Sequence, residues 1–154
     1  VRRSRQKGLT LVELIVAFTI MAMLTAMAVP LARYKVRRDK ERELRWALRE
    51  IRTAIDRYKD EADKGTLGPI KLGTEGYPES LEILVEGVKL PTAEDKKIRF
   101  LRRIPKDPFT NSTDWGKRSM KDDPKSMTFS GDHVFDVYTK TTERAADGTP
   151  YSEW

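Results

Sequence analysis

A run of 24 residues, Leu9–Ala32, carries a single charge, Glu13. It follows a basic stub that holds Arg2, Arg3, Arg5 and Lys7 and ends at Gly8. An apolar segment of this length is long enough to cross the hydrocarbon core of a bilayer. In lipid a single span must be helical, because only a helix pairs all of its own backbone groups. Residues 9–29 are mostly Leu, Ile, Val, Ala and Met, without glycine or proline. Pro30 then removes one N–H donor and should kink or loosen the helix near it before the helix resumes. A secretory signal has a shorter apolar run, about 7–15 residues. Ala26-Met27-Ala28 looks like the small-residue cleavage site of such a signal, but the helix-forming pattern continues past it.

Glu13 is the informative residue. An ionised carboxylate inside a membrane segment is expensive, and such residues mark functional sites by default. From the residues alone two readings stand. The acid snorkels to water at the interface, or it meets a cation at the edge of the lipid.

The rest of the composition narrows the function by exclusion. There is no cysteine, which removes disulfides, thiolate metal sites and thiol catalysis. The formal charge of +6 sits at the two ends of the apolar run. Four basic residues lie in the stub and five more (Arg33, Lys35, Arg37, Arg38, Lys40) directly follow the run. The remainder is close to balanced. The chain therefore has a mixed-charge head and no basic footprint for nucleic acid. Positive flanks suit lipid headgroups but do not set an orientation, since both ends carry them.

Beyond the run, Leu44, Leu48, Ile51, Ile55, Tyr58 and Ala62 recur at spacings of four and three. This is one apolar stripe on a charged helix. Arg52/Asp56, Arg57/Glu61 and Lys59/Asp63 are available as i,i+4 pairs, and Lys64-Gly65 is a stop signal. Leu81–Val85 reads as a short helix capped at or near Ser80. Ile98–Ile104 reads as a strand or a turn of helix, and Pro105–Phe109 as a rigid connection. Met127–Phe129 and His133–Thr139 read as a strand pair turning at Ser130-Gly131-Asp132. The expected fold is α+β: a long N-terminal helix packed on a small antiparallel sheet.

Two sets of residues resemble a known family. Lys7-Gly8-Leu9-Thr10-Leu11-Val12-Glu13-Leu14 is similar to the processing site of type IV prepilins and type II secretion pseudopilins. In the head, Gly76-Tyr77-Pro78, Leu81–Val85, Leu101–Ile104 with Pro105-Lys106-Asp107-Pro108, Phe135–Tyr138, Ala146-Asp147-Gly148 and Trp154 resemble the major pseudopilins of type II secretion in order and spacing. Leu9 stands where phenylalanine is commoner. Phe109-Thr110-Asn111 stands where Trp-Gly-Asn is usual, and Ser112–Ser130 is longer than the family average.

The resemblance implies a leader of residues 1–8, a transmembrane helix over 9–32, an amphipathic helix over 33–64 and a globular head over 65–154. It implies cleavage after Gly8 by a prepilin peptidase and methylation of Leu9. Glycine suits the cleavage site because a peptidase must approach the backbone closely there. Glu13 would neutralise the new amino terminus, in its own or a neighbouring subunit, and so set the stagger of a helical homopolymer. Pro30 would mark a helix that melts locally on packing. The implied partners are the peptidase and N-methyltransferase, an inner-membrane assembly platform with its ATPase complex, and minor pseudopilins. The implied location is the inner membrane, single-pass, with the head on the periplasmic side.

The resemblance also raises one ligand. Major pseudopilins bind calcium in a C-terminal loop, and Asp147 matches the aspartate of that loop. The sequence runs only seven residues further, so Ser152 and Glu153 would stand in for the downstream ligands, and the expected set is Asp147 and Glu153. Calcium takes 6–8 oxygens, so carbonyls or waters would have to complete it. The lone His133 has no nucleophile motif around it, and no phosphate loop, zinc spacing or nucleophile elbow occurs. The expected role is structural and not enzymatic. Alternatives are a type IV pilin forming a surface fibre for adhesion, motility or DNA uptake, a membrane-anchored binding domain or enzyme that never polymerises, and a secreted enzyme cleaved near Ala28.

Overall fold

Side chains with the same spacing share one helix face, and the stripe that begins at Leu44 is buried as that rule requires. In a computed structural model describing residues 10–91 and 93–154, one helix, α1, spans Leu11–Asp63. It passes through Pro30, whose missing N–H leaves the Ala26 carbonyl without its helical donor. The chain divides into two units, one ending at Asp39 and one running from Lys40 to Trp154. The first contains the apolar part of α1. The second contains the remainder of α1 and every other element.

In the second unit Leu44, Leu48, Ile51 and Ile55 are essentially sealed from solvent, together with Ala47 and Ala54. Tyr58 is half-buried, edge-on to Phe100 with ring centroids 5.3 Å apart, and desolvation raises its phenol above the ordinary value. Gly65, at φ 72°, follows the end of α1, the left-handed position that glycine fills without strain. Of the three expected i,i+4 pairs, Lys59–Asp63 forms at 2.5 Å. Glu61 is instead held by Lys64 at 2.8 Å, and Arg52 reaches across to Asp136 at 2.7 Å.

The short helix α2 spans Leu81–Glu86, with Ser80 at its N-cap position. It buries Leu81 and Leu84 against α1. A hairpin follows, β1 (Val88–Leu90) with β2 (Ala93–Ile98), antiparallel. Gly87, at φ 81°, precedes it. A Cβ there would lie 2.6 Å from the Ile98 carbonyl oxygen, so the turn into β1 accepts only glycine. The expected strand or helical turn over Ile98–Ile104 is not formed beyond Ile98. The chain there is pinned by the amides of Phe100 and Leu101, which both donate to the Leu84 carbonyl.

The second ladder departs from expectation. The strand Asp136–Tyr138, β4, pairs antiparallel with Gly116–Arg118, β3, and not with Met127–Phe129. Lys117 lies opposite Val137 and Gly116 opposite Tyr138. The physical reason is Gly116. Its Cβ would fall 2.3 Å from the Tyr138 ring, so the bare backbone lets the ring lie flat across the strand. Met127 is instead tied through its carbonyl to the Tyr138 hydroxyl at 2.8 Å. The fold is α+β as expected, with two two-stranded antiparallel ladders in place of one sheet. Trp115, Val134, Val137 and Tyr151 complete the core beside α1 and α2.

Gly116→Ala should destabilise the chain by about 1–3 kcal/mol, since a rigid ring must move to admit one methyl group. Equilibrium denaturation followed by tryptophan fluorescence measures this. An unchanged midpoint would show that the ring contact does not constrain the ladder.

Candidate functional site: the apolar half of the long helix

The N-terminus of a helix leaves backbone N–H groups without partners. Here Thr10 supplies one. Its Oγ1 accepts from the Glu13 amide at 3.3 Å, and its carbonyl accepts from Leu14 at 3.2 Å. Thr10 and Glu13 thus occupy the first and fourth positions of a capping-box pattern, and Glu13 lies in the first turn, where a negative charge is favoured. The cap was readable as Thr-x-x-Glu before an apolar run, a signal that the membrane reading of the same residues obscured.

From Leu11 to Leu31 the apolar side chains are exposed on every face, from Val29 at 46 % to Met27 at 78 %. Thirteen large ones are involved. Leaving them in water forgoes on the order of 20–40 kcal/mol of burial. This surface therefore needs lipid or other protein around it. The helix is long and apolar enough to cross a membrane. Its hydroxyls do not disturb that character. Thr19 donates to the Ile15 carbonyl and Thr25 to the Met21 carbonyl, each at 2.8 Å. Among the described residues no donor or cation faces the Glu13 carboxylate, so it is the one strong polar group on this surface with a free valence. Gly8 and Leu9 lie outside the described residues.

The residues expected to hold calcium sit elsewhere, and their donor set does not fit the ion. Asp147 is exposed in a turn, where Oδ1 accepts from the Thr149 amide at 2.9 Å. That bond holds its carboxyl below the ordinary aspartate value. The Glu153 carboxylate faces Lys125 at 3.2 Å, a cation where calcium would need an anion's open side. Among the described residues no three His, Cys, Asp or Glu side chains gather around either of them.

The remaining singled-out residues are structural. His133 is sealed from solvent. Its Nδ1 lies 3.1 Å from the Gly73 carbonyl and its Nε2 accepts from the Met120 amide at 3.3 Å, which fixes the Nδ1–H tautomer. Its ring stacks on Tyr77. Trp115 is buried and donates to the Pro105 carbonyl at 2.9 Å. Trp154 packs edge-on to Tyr151, while Trp46 stays exposed. Asp107, from the Pro-Lys-Asp-Pro run, is buried. It accepts from the Phe109 amide at 2.8 Å and from the Thr139 hydroxyl, tying the rigid connection to the end of β4.

Residues 3–29 match the family model described as the prokaryotic N-terminal methylation motif. The type II secretion system core protein G of Pseudomonas aeruginosa is 28 % identical over 115 residues, which cover 71 % of this chain and 72 % of that protein. The type II secretion system core protein G of Escherichia coli is 31 % identical over 113 residues, covering 70 % and 69 % respectively. No solved structure gives a significant match.

Asp122 provides a test of the head that is independent of the apolar helix. Its Oδ2 accepts from the Ser119 amide at 2.7 Å and the Ser130 amide at 3.3 Å, and the first of these depresses its pKa. A depressed carboxyl stabilises the fold above the unfolded aspartate pKa, and that contribution is lost as pH falls through the folded value. Protection factors of the Ser119 and Ser130 amides should therefore fall between about pH 5 and pH 2. In Asp122→Asn they should be lower throughout and lose this acid limb. Hydrogen exchange read by NMR measures both.

Proposed function

The chain belongs to the family of type II secretion system core protein G, and from that membership we propose that it is a structural subunit of a pseudopilus, a pilus-like filament of a type II secretion-type machine. The observation that carries the reading is the methylation motif running into a helix whose apolar surface none of the described residues covers. A surface of that kind is stable in a bilayer before assembly and against copies of itself after it.

The division of labour follows from the residues. A prepilin peptidase with N-methyltransferase activity cuts after Gly8 and modifies Leu9. The new amino terminus is a cation at the start of the helix, where the helix dipole disfavours positive charge. The Glu13 carboxylate, four residues on, is the anion that neutralises it. Pairing to a neighbouring subunit sets the axial stagger, because either charge left alone in lipid costs several kcal/mol. Pro30 removes a backbone bond where the apolar part of the helix ends, so extension of the helix there is cheaper than elsewhere. The implied partners are further copies of the chain, minor pseudopilins, and an inner-membrane platform with its ATPase complex. The chain crosses the inner membrane once, and the head faces the periplasm. Residues 1–8 then form the leader, 9–32 the membrane segment, 33–64 the amphipathic helix and 65–154 the rest of the head.

Coexpression with a prepilin peptidase should yield a chain whose intact mass lacks residues 1–8 and carries one extra methyl group on Leu9. An uncut chain, or one starting near Val29, would refute the reading. In an assembling host, Glu13→Gln should reduce sheared filaments by about tenfold or more, the equivalent of one lost charge pair at about 1.4 kcal/mol or above. Unchanged assembly of that variant would remove the role given to Glu13.

A further inference from the structure

Four residues of the C-terminal segment, Gly148, Ser152, Glu153 and Trp154, each offer an oxygen to a positively charged side chain. Arg118 is 4 % exposed although it lies on a short strand. Its Nε donates to the Ser126 carbonyl at 2.8 Å and its Nη2 to the Ser152 carbonyl at 3.1 Å. Its Nη1 lies 3.6 Å from Asp136, and the guanidinium covers the Tyr138 ring at 4.1 Å. Arg52, on α1, takes the other face of Asp136 and donates to the Val137 carbonyl at 3.3 Å and the Trp154 carbonyl at 2.7 Å. Lys125 meets Glu153, and Arg144 donates to the Gly148 carbonyl at 3.0 Å.

A divalent cation crosslinks a loop by collecting carbonyl and carboxylate oxygens from separated stretches of chain. Here the same kind of oxygens, from the 119–130 loop, from β4 and from the 3₁₀ turn Tyr151–Glu153, are collected by guanidinium forks. Two guanidinium groups share one carboxylate, that of Asp136. Among the described residues no three His, Cys, Asp or Glu side chains gather around Asp147 or Glu153.

We propose that Arg52 and Arg118, sharing Asp136, are a built-in cationic clamp that locks the C-terminal segment of the head without calcium. The clamp is independent of whether the chain polymerises, so its test does not depend on the filament reading. An arginine fork fits this task better than lysine, since it offers several fixed donors and keeps its charge when buried.

The test uses the full chain in detergent, with thermal unfolding followed by near-UV circular dichroism in EGTA and in about 1 mM calcium chloride. A ligand that binds only the folded state raises the midpoint as its concentration exceeds its Kd. The expected shift is under about 2 °C, with no binding isotherm for calcium by calorimetry. A larger shift, or a measurable isotherm, overturns the proposal. Arg118→Met should lower the midpoint by about 5 °C or more, equally in both buffers. Arg52→Met, at a half-exposed position, serves in the same way if the Arg118 variant does not accumulate. Midpoints unchanged by substitution would overturn the clamp.

Discussion

An apolar helical surface left exposed among the described residues is the constraint from which the rest follows. Water cannot host it, since the burial forgone exceeds the net stability of an ordinary domain. The chain needs lipid, or copies of itself, around residues 11–31. This places the working surface outside any cleft or pocket. The chemistry asked of it is assembly, which needs complementary faces and a means of fixing register. It needs no nucleophile or general base.

The head answers a different problem. Its core is built on the one face of α1 marked by Leu44, Leu48, Ile51 and Ile55, and much of the remainder is irregular chain held by hydrogen bonds. With two short ladders and a six-residue helix, few backbone groups are satisfied by regular pairing. Side chains compensate. Asp107 caps one loop, Asp122 another, and His133 ties its own stretch of chain to two others, at Gly73 and at Ser119-Met120, through its two ring nitrogens. A polar group in such a position holds the fold because leaving its partners unpaired costs more than the bond contributes.

What was legible in the sequence was whatever obeys a period. The apolar run, the stripe on α1, the stop at Gly65 and the short helix after Ser80 all follow from spacing and from glycine. The ladders did not follow. Gly116-Lys117-Arg118 has neither alternation nor β-branched side chains, and Arg118 is buried against the habit of its residue type. Met127-Thr128-Phe129 has the better strand composition but is an exposed loop, held by Ser126 and Tyr138. The hairpin strand Ala93–Ile98 is largely charged and carries no alternating signal. The expected calcium residues were located by resemblance to an Ala-Asp-Gly run. The resemblance could not show that cationic side chains face their surroundings, because Arg45, Arg118 and Lys125 lie far away in the sequence.

The two threonines of the apolar helix carry a further consequence. With each hydroxyl turned back onto its own helix, the greasy surface offers a neighbour almost nothing directional to grip. Two such helices could slide past one another with little penalty, like rails without ties. On the pairing proposed for Glu13, positional information along the bundle is then concentrated in a single acid near one end. Under that pairing, moving the acid by one helical turn would reset the repeat by about 5.4 Å, and the spacing of the whole polymer could drift by point substitution while the packing surface stays as it is.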